Sequence, residues 1–301
     1  MTVSVILGVN DASAEPEGDG AVALAPVSGA ALGATGPALR AEPPSIDGVQ
    51  PIRTTQPSTI PRSPRADPLT MRHSDRRPAT LDGVREQVER IAAPVGSLEA
   101  TLRIPDEEPR AIVVVAHPLP THGGTMRNPL VAAIARACAQ RAMYALRFNF
   151  RGVGASEGTW TGGIAEVDDL VAAVAHARDA APGLPLAVAG YSFGAITTLR
   201  WIAGGGRPDA YALAGLPLPS VTFTAQELPS AQELPPVPDG AFIVAAELDQ
   251  FGTATELRAA YPRAQIVEVA GVDHFFPRRH GEVGALIADH LVTALGPRFS
   301  G

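Results

Sequence analysis

Short segments rich in Ile, Val and Ala alternate with longer amphipathic segments from residue 86 onward. The run Ala-Ile-Val-Val-Val-Ala at residues 111–116 is typical of a strand buried on both faces of a sheet. Strands are predicted at residues 86–93, 97–104, 111–116, 143–150, 186–189, 211–214, 242–246 and 265–269. Helices are predicted at residues 129–141, 165–180, 194–203, 253–261 and 282–295. Because alternating strands and helices form βαβ units, the pattern predicts an α/β fold with a mainly parallel sheet flanked by helices.

The composition of the chain changes near residue 70. Residues 1–70 contain ten prolines, seven glycines and no Phe, Trp or Tyr. Such a segment has little large apolar surface to offset the entropy lost on ordering, so we expect an Ala/Pro/Gly-rich disordered segment. An alternative is that Met71 is the true start of the protein. We expect residues 71–85 to form a linker and residues 86–297 to form the folded domain.

Charge and cysteine content exclude several classes of protein. The formal net charge is −7, from 31 acidic and 24 basic residues, and no run of basic residues is longer than two. This distribution lacks the basic footprint of a nucleic-acid binder. The one cysteine, Cys138, excludes an internal disulfide and a cysteine-based zinc cluster.

The sequence also bears on where in the cell the protein lies. No stretch approaches the roughly 18 apolar residues of a membrane span. The apolar run at residues 3–9 is short and no positive charge precedes it, so we do not interpret it as a signal peptide. We expect a cytoplasmic protein with no membrane partner.

Residues 190–194 read Gly-Tyr-Ser-Phe-Gly and fit the G-x-S-x-G pattern. The motif follows a predicted buried strand and precedes a predicted helix, which is the context that a nucleophile elbow requires. The tight turn would raise the Ser192 hydroxyl above the sheet, at the positive end of the helix dipole. An ordinary glycine-rich turn with a solvent-facing serine is the alternative. We predict that Ser192 is a nucleophile.

A serine nucleophile needs a base, and three histidines follow Ser192 in the chain. His290 lies inside the last predicted helix, where a surface position is expected. His280 lies in a polar turn that is expected to be solvated. His274 lies on the loop after the predicted strand at residues 265–269, at the sheet edge where α/β proteins build their sites. His274 is therefore the predicted base.

The acid of a triad should follow the predicted strand at residues 242–246. Glu247 and Asp249 both qualify by position, and they would face different ways if the strand continued. Asp249 lies further into the loop and is the predicted acid. Asp273 is adjacent to His274 and cannot easily reach its Nδ1, so we expect it to fix the loop.

An oxyanion hole needs two backbone N–H groups. One is expected from Phe193, the residue after the nucleophile. The second is expected from Leu119, because the neighbouring Pro118 and Pro120 have no N–H. Glycines at positions 123 and 124 would let a substrate approach the backbone closely. His117 is expected to be a buried histidine that bonds loop carbonyls, and His122 is ambiguous.

Four sequence blocks resemble a small bacterial group of predicted α/β-hydrolases. Residues 117–128 (HPLPTHGGTMRN) are similar to its HPHP-x-x-GG-x-M-x-N loop, and residues 147–158 (RFNFRGVGASEG) match its R-F-N-F-R-G-V-G-x-S-E-G stretch. The sequences at 190–194 and 273–276 (DHFF) match as well. Leu119 stands where the group often has a second histidine, and Ala-Glu-Leu-Asp at residues 246–249 replaces its usual G-x-x-D.

The resemblance implies an α/β-hydrolase fold and serine-hydrolase chemistry. The proline-rich stretch at residues 215–240 leaves room for a loop but not for a large cap domain. We expect a serine esterase that cleaves a carboxylic ester or thioester of a small to medium molecule, without a metal or organic cofactor. A peptidase with the same triad and a catalytically silent binding protein are the alternatives. The candidate pocket walls, which could equally be plain core, are Met126, Trp160, Phe275 and Phe276.

Overall fold

The computed structural model describes residues 85–218 and 235–296 of the 301-residue chain. The predicted disordered segment at residues 1–70 and nearly all of the predicted linker at residues 71–85 lie outside the described residues. So does most of the proline-rich stretch at residues 215–240. The strands are β1 (Arg85–Ala93), β2 (Gly96–Ile104), β3 (Ala111–Ala116), β4 (Met143–Phe148), β5 (Leu186–Tyr191), β6 (Ala210–Ala214), β7 (Phe242–Ala246) and β8 (Gln265–Val269).

Five α-helices connect or follow these strands in the described part of the chain. They are α1 (Pro129–Ala139), α2 (Glu166–Ala180), α3 (Phe193–Ala203), α4 (Ala254–Ala260) and α5 (His280–Leu295). The predicted helices and strands match these elements within a few residues. The helix starts have physical causes: Pro129 occupies the first turn of α1, and the Asn128 side chain accepts from Leu130 N–H and Val131 N–H.

The strands form one eight-stranded sheet in the order β1-β2-β4-β3-β5-β6-β7-β8. β2 pairs antiparallel with both β1 and β4, and all other neighbouring strands are parallel. The prediction of a mainly parallel sheet is therefore confirmed. The strand order reverses at β3, which lies between β4 and β5, and a ligand site is expected at the carboxyl ends of the strands beside such a switch point.

Helices cover both faces of the sheet, and β3 shows why its sequence has no polar member. Ile112, Val114 and Ala116 pack in one core cluster with α2 and α3. Ala111, Val113 and Val115 point to the other face, into a second cluster with α1 and α5. Every side chain of β3 is at most 1% exposed. A strand between two helical layers must be apolar on both faces, as its sequence predicted.

Three features are absent from the part of the chain that the structure describes. No helix within residues 85–218 and 235–296 is long and apolar enough to cross a membrane. In the same residues, no three His, Cys, Asp or Glu side chains are grouped so that they could hold a metal ion. No helical cap is inserted in the described residues between β6 and β7.

The contact between α1 and α5 requires a glycine. A Cβ added to Gly284 of α5 would lie 2.8 Å from the carbonyl oxygen of Ala133 in α1. We expect Gly284→Ala to lower the free energy of unfolding by about 1–3 kcal/mol, because the helices must separate to admit the methyl group. Urea denaturation measures this change.

Gly281→Ala is the matched control in the same helix. A Cβ at Gly281 meets no atom within 4 Å. Because Ala has a higher helix propensity than Gly, this substitution should raise the free energy of unfolding by up to about 1 kcal/mol. Equal changes in the free energy of unfolding for the two substitutions would contradict a tight contact between Gly284 and α1.

Candidate active site

The turn between β5 and α3 consists of a single residue, Ser192. β5 ends at Tyr191 and α3 begins at Phe193. Ser192 has φ 55° and ψ −113°, a backbone conformation that costs a residue with a side chain of the order of 1–3 kcal/mol. The chain therefore makes the sharp, strained elbow that its G-x-S-x-G sequence predicts.

Both glycines of the motif lie against backbone, which explains why they must lack a Cβ. A Cβ at Gly190 would lie 2.4 Å from the carbonyl oxygen of Gly194. A Cβ at Gly194 would lie 2.3 Å from the carbonyl oxygen of Ala116, at the end of β3. The first turn of α3 is therefore packed directly on the backbone of the loop that follows β3.

Ser192, His274 and Asp249 form a chain of hydrogen bonds at the carboxyl ends of β5, β7 and β8. The Ser192 Oγ lies 2.9 Å from His274 Nε2. His274 Nδ1 lies 2.8 Å from Asp249 Oδ2 and 3.0 Å from Oδ1. Because a carboxylate only accepts, Nδ1 carries the proton and Nε2 is left to accept the serine hydroxyl. All three residues are at least 91% buried.

The two candidate acids have different partners. The loop after β7 turns Asp249 into the protein, where Oδ1 also accepts from Phe251 N–H at 2.9 Å. The Glu247 side chain is exposed and accepts from Gly271 N–H at 2.7 Å. Asp273 accepts from Phe275 N–H at 3.0 Å and fixes its own loop, as expected. Of the two candidate acids, the geometry brings Asp249 to His274.

The other two downstream histidines lie apart from this chain, and each differs from its predicted setting. The His280 side chain bonds the Phe275 carbonyl at 3.0 Å and begins α5, so it is not simply a solvated turn residue. His290 is half-buried, with its ring stacked on Phe242 at a centroid distance of 4.0 Å. The expectation of a plain surface position for His290 was therefore wrong, because α5 turns this side chain toward the start of β7.

Leu119 and Phe193 lie on the two backbone segments that meet at the elbow. The Leu119 carbonyl accepts from both His122 N–H and Gly124 N–H, which closes a compact turn around Pro120–His122. Within the described residues, neither Leu119 N–H nor Phe193 N–H donates to a protein acceptor. The backbone at Gly194 lies against Ala116 and His117, so the first turn of α3, which begins at Phe193, packs on the segment that leads to Leu119.

Gly124 has a different role from the one predicted. A Cβ at this position would lie 2.0 Å from the carbonyl oxygen of Pro118 and 2.6 Å from that of Leu119. The residue is buried against its own loop, so it permits the loop to close on itself and does not receive a substrate. Gly123 is the left-handed residue that ends the short helix, with φ 78°.

Comparison with known proteins agrees with this architecture. Residues 107–234 match the family model described as serine aminopeptidase, S33. An α/β serine hydrolase without a lid from Xanthomonas campestris is 26% identical, with a TM-score of 0.59 over 72% of this chain and 97% of that chain. An α/β serine hydrolase homologue from Coxiella burnetii is 28% identical, with a TM-score of 0.58 over 68% and 97% of the two chains. These likenesses show that the chain has the α/β-hydrolase fold.

A protein from Rickettsia prowazekii is also similar, at 27% identity over 210 residues. The match covers 66% of this chain and 86% of the relative. The predicted α/β-hydrolase fold is confirmed, and residues 85–218 and 235–296 contain no large cap. Membership of the narrower bacterial group with the four sequence blocks stays a prediction.

The four candidate pocket residues have unequal exposure. Phe275 is 60% exposed beside His274, with ring centroids 5.6 Å apart. Trp160 is partly exposed and packs edge-to-face on Phe193 at 5.2 Å. Phe276 is fully buried in the core cluster with α1 and α5, and Met126 is 2% exposed. Phe276 and Met126 therefore occupy the core positions that were the alternative, and only Phe275 and Trp160 remain candidates.

His117 is buried, as the sequence predicted, and it fixes the loop that carries Leu119. Its Nδ1 bonds the Pro118 carbonyl at 2.7 Å, and its Nε2 accepts from Phe150 N–H at 3.1 Å. The proton is thus on Nδ1, and the imidazole connects the loop after β3 to the end of β4. Burial lowers the pKa of His117 to about 4.

Asn149 supports the same loop through contacts that the sequence did not predict. Its Oδ1 accepts from Met126 N–H at 2.8 Å, and its Nδ2 donates to Glu99 Oε2 at 2.8 Å. Glu99 also accepts from Ala155 N–H, and this bond is the main cause of its lowered pKa. The position of Asn149 directly after β4 was the available signal in the sequence for such a role. Its partners could not be predicted, because they are 23 and 50 residues distant in sequence.

The buried imidazole of His117 predicts a pH dependence of stability. His117 is neutral in the folded state down to about pH 4, whereas it titrates near 6.5 when unfolded. Between these values the unfolded chain binds more protons, so this contribution is complete above pH 6.5 and falls as the pH falls toward 4. The full loss is about 3 kcal/mol.

Urea denaturation between pH 4 and 7.5 measures this effect. His117→Asn should show a shallower decrease toward acid than the wild type. His122→Asn, an exposed histidine on the same loop, is the control and should keep the wild-type slope. If the slopes of all three proteins agree, His117 is not the group responsible.

Proposed function

We propose that this protein is a serine hydrolase that cleaves a carboxylic ester through an acyl-enzyme. The hydrogen-bond chain from Ser192 through His274 to Asp249, at a strained strand-to-helix turn, carries the proposal. A serine hydroxyl becomes a useful nucleophile when a base accepts its proton and a third group orients that base. Both conditions are met, with hydrogen-bond distances of 2.8–3.0 Å.

In the acylation step, Ser192 Oγ bonds to the substrate carbonyl carbon while its proton passes to His274 Nε2. Asp249 accepts from Nδ1–H and stabilises the imidazolium that forms. The tetrahedral intermediate then collapses, the bond to the leaving alcohol breaks, and His274 returns the proton to that alcohol. A water oxygen then bonds to the acyl carbon while its proton passes to His274 Nε2. The bond from the acyl carbon to Ser192 Oγ breaks, His274 returns the proton to Oγ, and the carboxylic acid leaves.

The negative charge of each intermediate resides on the former carbonyl oxygen. We assign its stabilisation to Leu119 N–H and Phe193 N–H, neither of which has a protein acceptor within the described residues. The N-terminus of α3 adds a positive partial charge at the same place. Loss of one such donor typically costs a factor of about 10²–10³ in kcat, so the fixed loop around Leu119 contributes to the rate.

The substrate class follows from the surroundings of the triad. Phe275 offers an exposed apolar surface next to His274, and no helical cap encloses the site in the described residues. A small to medium ester or thioester fits such a site better than a long chain that needs an enclosed tunnel. The relative from Xanthomonas campestris, a serine hydrolase without a lid, supports the same choice.

A peptidase is the second candidate, because the matching family model is described as a serine aminopeptidase. An aminopeptidase would use the same triad and would also need a carboxylate for the substrate ammonium group. Asp249 is occupied by His274, and the exposed Glu247 and Asp273 each accept from a backbone N–H. Assays with p-nitrophenyl esters beside aminoacyl p-nitroanilides separate the two activities.

The nucleophile is tested with a fluorophosphonate probe and p-nitrophenyl butyrate. The wild type should be labelled and should hydrolyse the ester. Ser192→Ala should lose labelling, and its kcat should fall by up to about 10⁶-fold, because triad members act as a unit. Ser97→Ala, at the start of β2, is the control and should keep both probe labelling and ester hydrolysis. A folded wild type that resists labelling would favour a catalytically silent binding protein.

The assignment of the acid has its own test. Asp249→Asn should lower kcat by about 10⁴-fold, because an amide can hold His274 in the wrong tautomer. Glu247→Gln should change kcat little, since its side chain faces Gly271 and solvent. Steady-state ester hydrolysis compares the two variants, and the opposite order of effects would assign the acid to Glu247.

A further inference from the structure

Tyr191 precedes the nucleophile and also contacts the base. It is the last residue of β5 and is 2% exposed. Its hydroxyl donates to the carbonyl oxygen of His274 at 3.0 Å. Its ring lies 5.5 Å from the imidazole, with an angle of 30° between the two planes. One side chain thus touches both the backbone and the ring of His274, and its own backbone leads directly into Ser192.

The loop that carries His274 has little regular structure to fix it. After β8, Phe276 and Arg278 have φ values of 51° and 64°, which are unusual for residues with a side chain. The loop closes through single backbone bonds such as Phe276 N–H to Asp273 O. In the described part of the chain, the His274 carbonyl accepts from no backbone N–H. This buried carbonyl accepts its hydrogen bond from the Tyr191 hydroxyl.

Gly215, directly after β6, lies against the side chains of both His274 and Tyr191. A Cβ at this position would lie 3.1 Å from His274 Cε1 and 3.3 Å from Tyr191 Cε2. Gly215 has φ 51°, so a side chain would also be strained there. The edge of the Phe251 ring contacts the imidazole as well, at a centroid distance of 4.7 Å. The imidazole is therefore packed on several sides, and of these three described neighbours only Tyr191 also bonds the His274 backbone.

We propose that the Tyr191 hydroxyl is a positioning group that holds His274 in line with Ser192 and Asp249. The proposal rests on the proposed function, because it assigns a part in that chemistry. The backbone of the elbow fixes the position of Ser192. The side chain of the preceding residue, Tyr191, fixes the position of His274 relative to it. A misplacement of about 1 Å at a reacting group can cost a factor of about 10² in rate. A single hydroxyl that sets the Oγ–Nε2 distance is therefore important for kcat.

Tyr191→Phe keeps the ring and removes the donor. We expect kcat for p-nitrophenyl butyrate to fall about 10- to 100-fold while KM changes less than about 2-fold, since the substrate still binds. The melting temperature should fall by only about 2–4 °C, the effect of one lost hydrogen bond in a domain of this size. Tyr211→Phe on the neighbouring β6 is the matched control and should keep kcat.

A second readout does not depend on turnover. In proton NMR of the wild type, the His274 Nδ1–H bonded to Asp249 should exchange slowly with water, and His274→Gln identifies its signal by removing it. Tyr191→Phe should broaden or shift this signal, whereas Tyr211→Phe should not. A merely structural tyrosine would lower the melting temperature without changing the signal in the fraction that remains folded.

The outcomes separate this proposal from the proposed function. If Tyr191→Phe retains the wild-type kcat and the same Nδ1–H signal, the positioning role is wrong. A loss of kcat that disappears after correction for active sites titrated with a fluorophosphonate also overturns it. If the wild type neither hydrolyses esters nor labels, the proposed function fails, and the Nδ1–H comparison still decides whether Tyr191 holds His274.

Discussion

The close contact between the first turn of α3 and the end of β3 is the constraint on which the site depends. Gly194 allows this contact, because any Cβ there would overlap the Ala116 carbonyl. With the helix so close, a single residue must turn the chain, and Ser192 accepts a strained backbone as a result. The same contact brings the loop with Leu119 beside the N-terminus of α3. Nucleophile and candidate oxyanion donors thus share one geometric cause.

Side chains fix the loops of this site because the sheet ladder ends before them. His117 accepts from Phe150 N–H after β4, Asn149 accepts from Met126 N–H in the loop after β3, and Tyr191 donates to the loop after β8. In each case a side chain fixed by a strand end or loop bonds a backbone group of a neighbouring loop. A loop bonded in this way has few alternative conformations, so the entropy of ordering it is lost on folding and not again in each reaction.

Much of this structure could be predicted from the sequence, and the failures have physical reasons. The central strands β3, β5 and β7 were predictable because their residues are buried on both faces of the sheet, and the candidates Ser192 and His274 were predicted from the order of a nucleophile elbow and its partners. Asp249 was preferred to Glu247 only for its place further into the loop, because the local turn after β7 decides which side chain points inward. The core positions of Phe276 and Met126, and the contacts of Asn149, depend on residues distant in sequence, which local patterns do not encode.

The buried polar groups give a last indication of how stability and function are balanced. Arg151 and Asp169 form a buried ion pair with N···O distances down to 2.7 Å, and Asp169 also accepts from Arg151 N–H. Apolar residues of similar volume at a buried ion pair are often neutral or stabilising, so the pair is weak evidence for stability. What it does provide is a defined path for the loop that leaves β4 and leads to Trp160. Like His117 and Tyr191, this pair fixes the geometry of a loop at the carboxyl edge of the sheet.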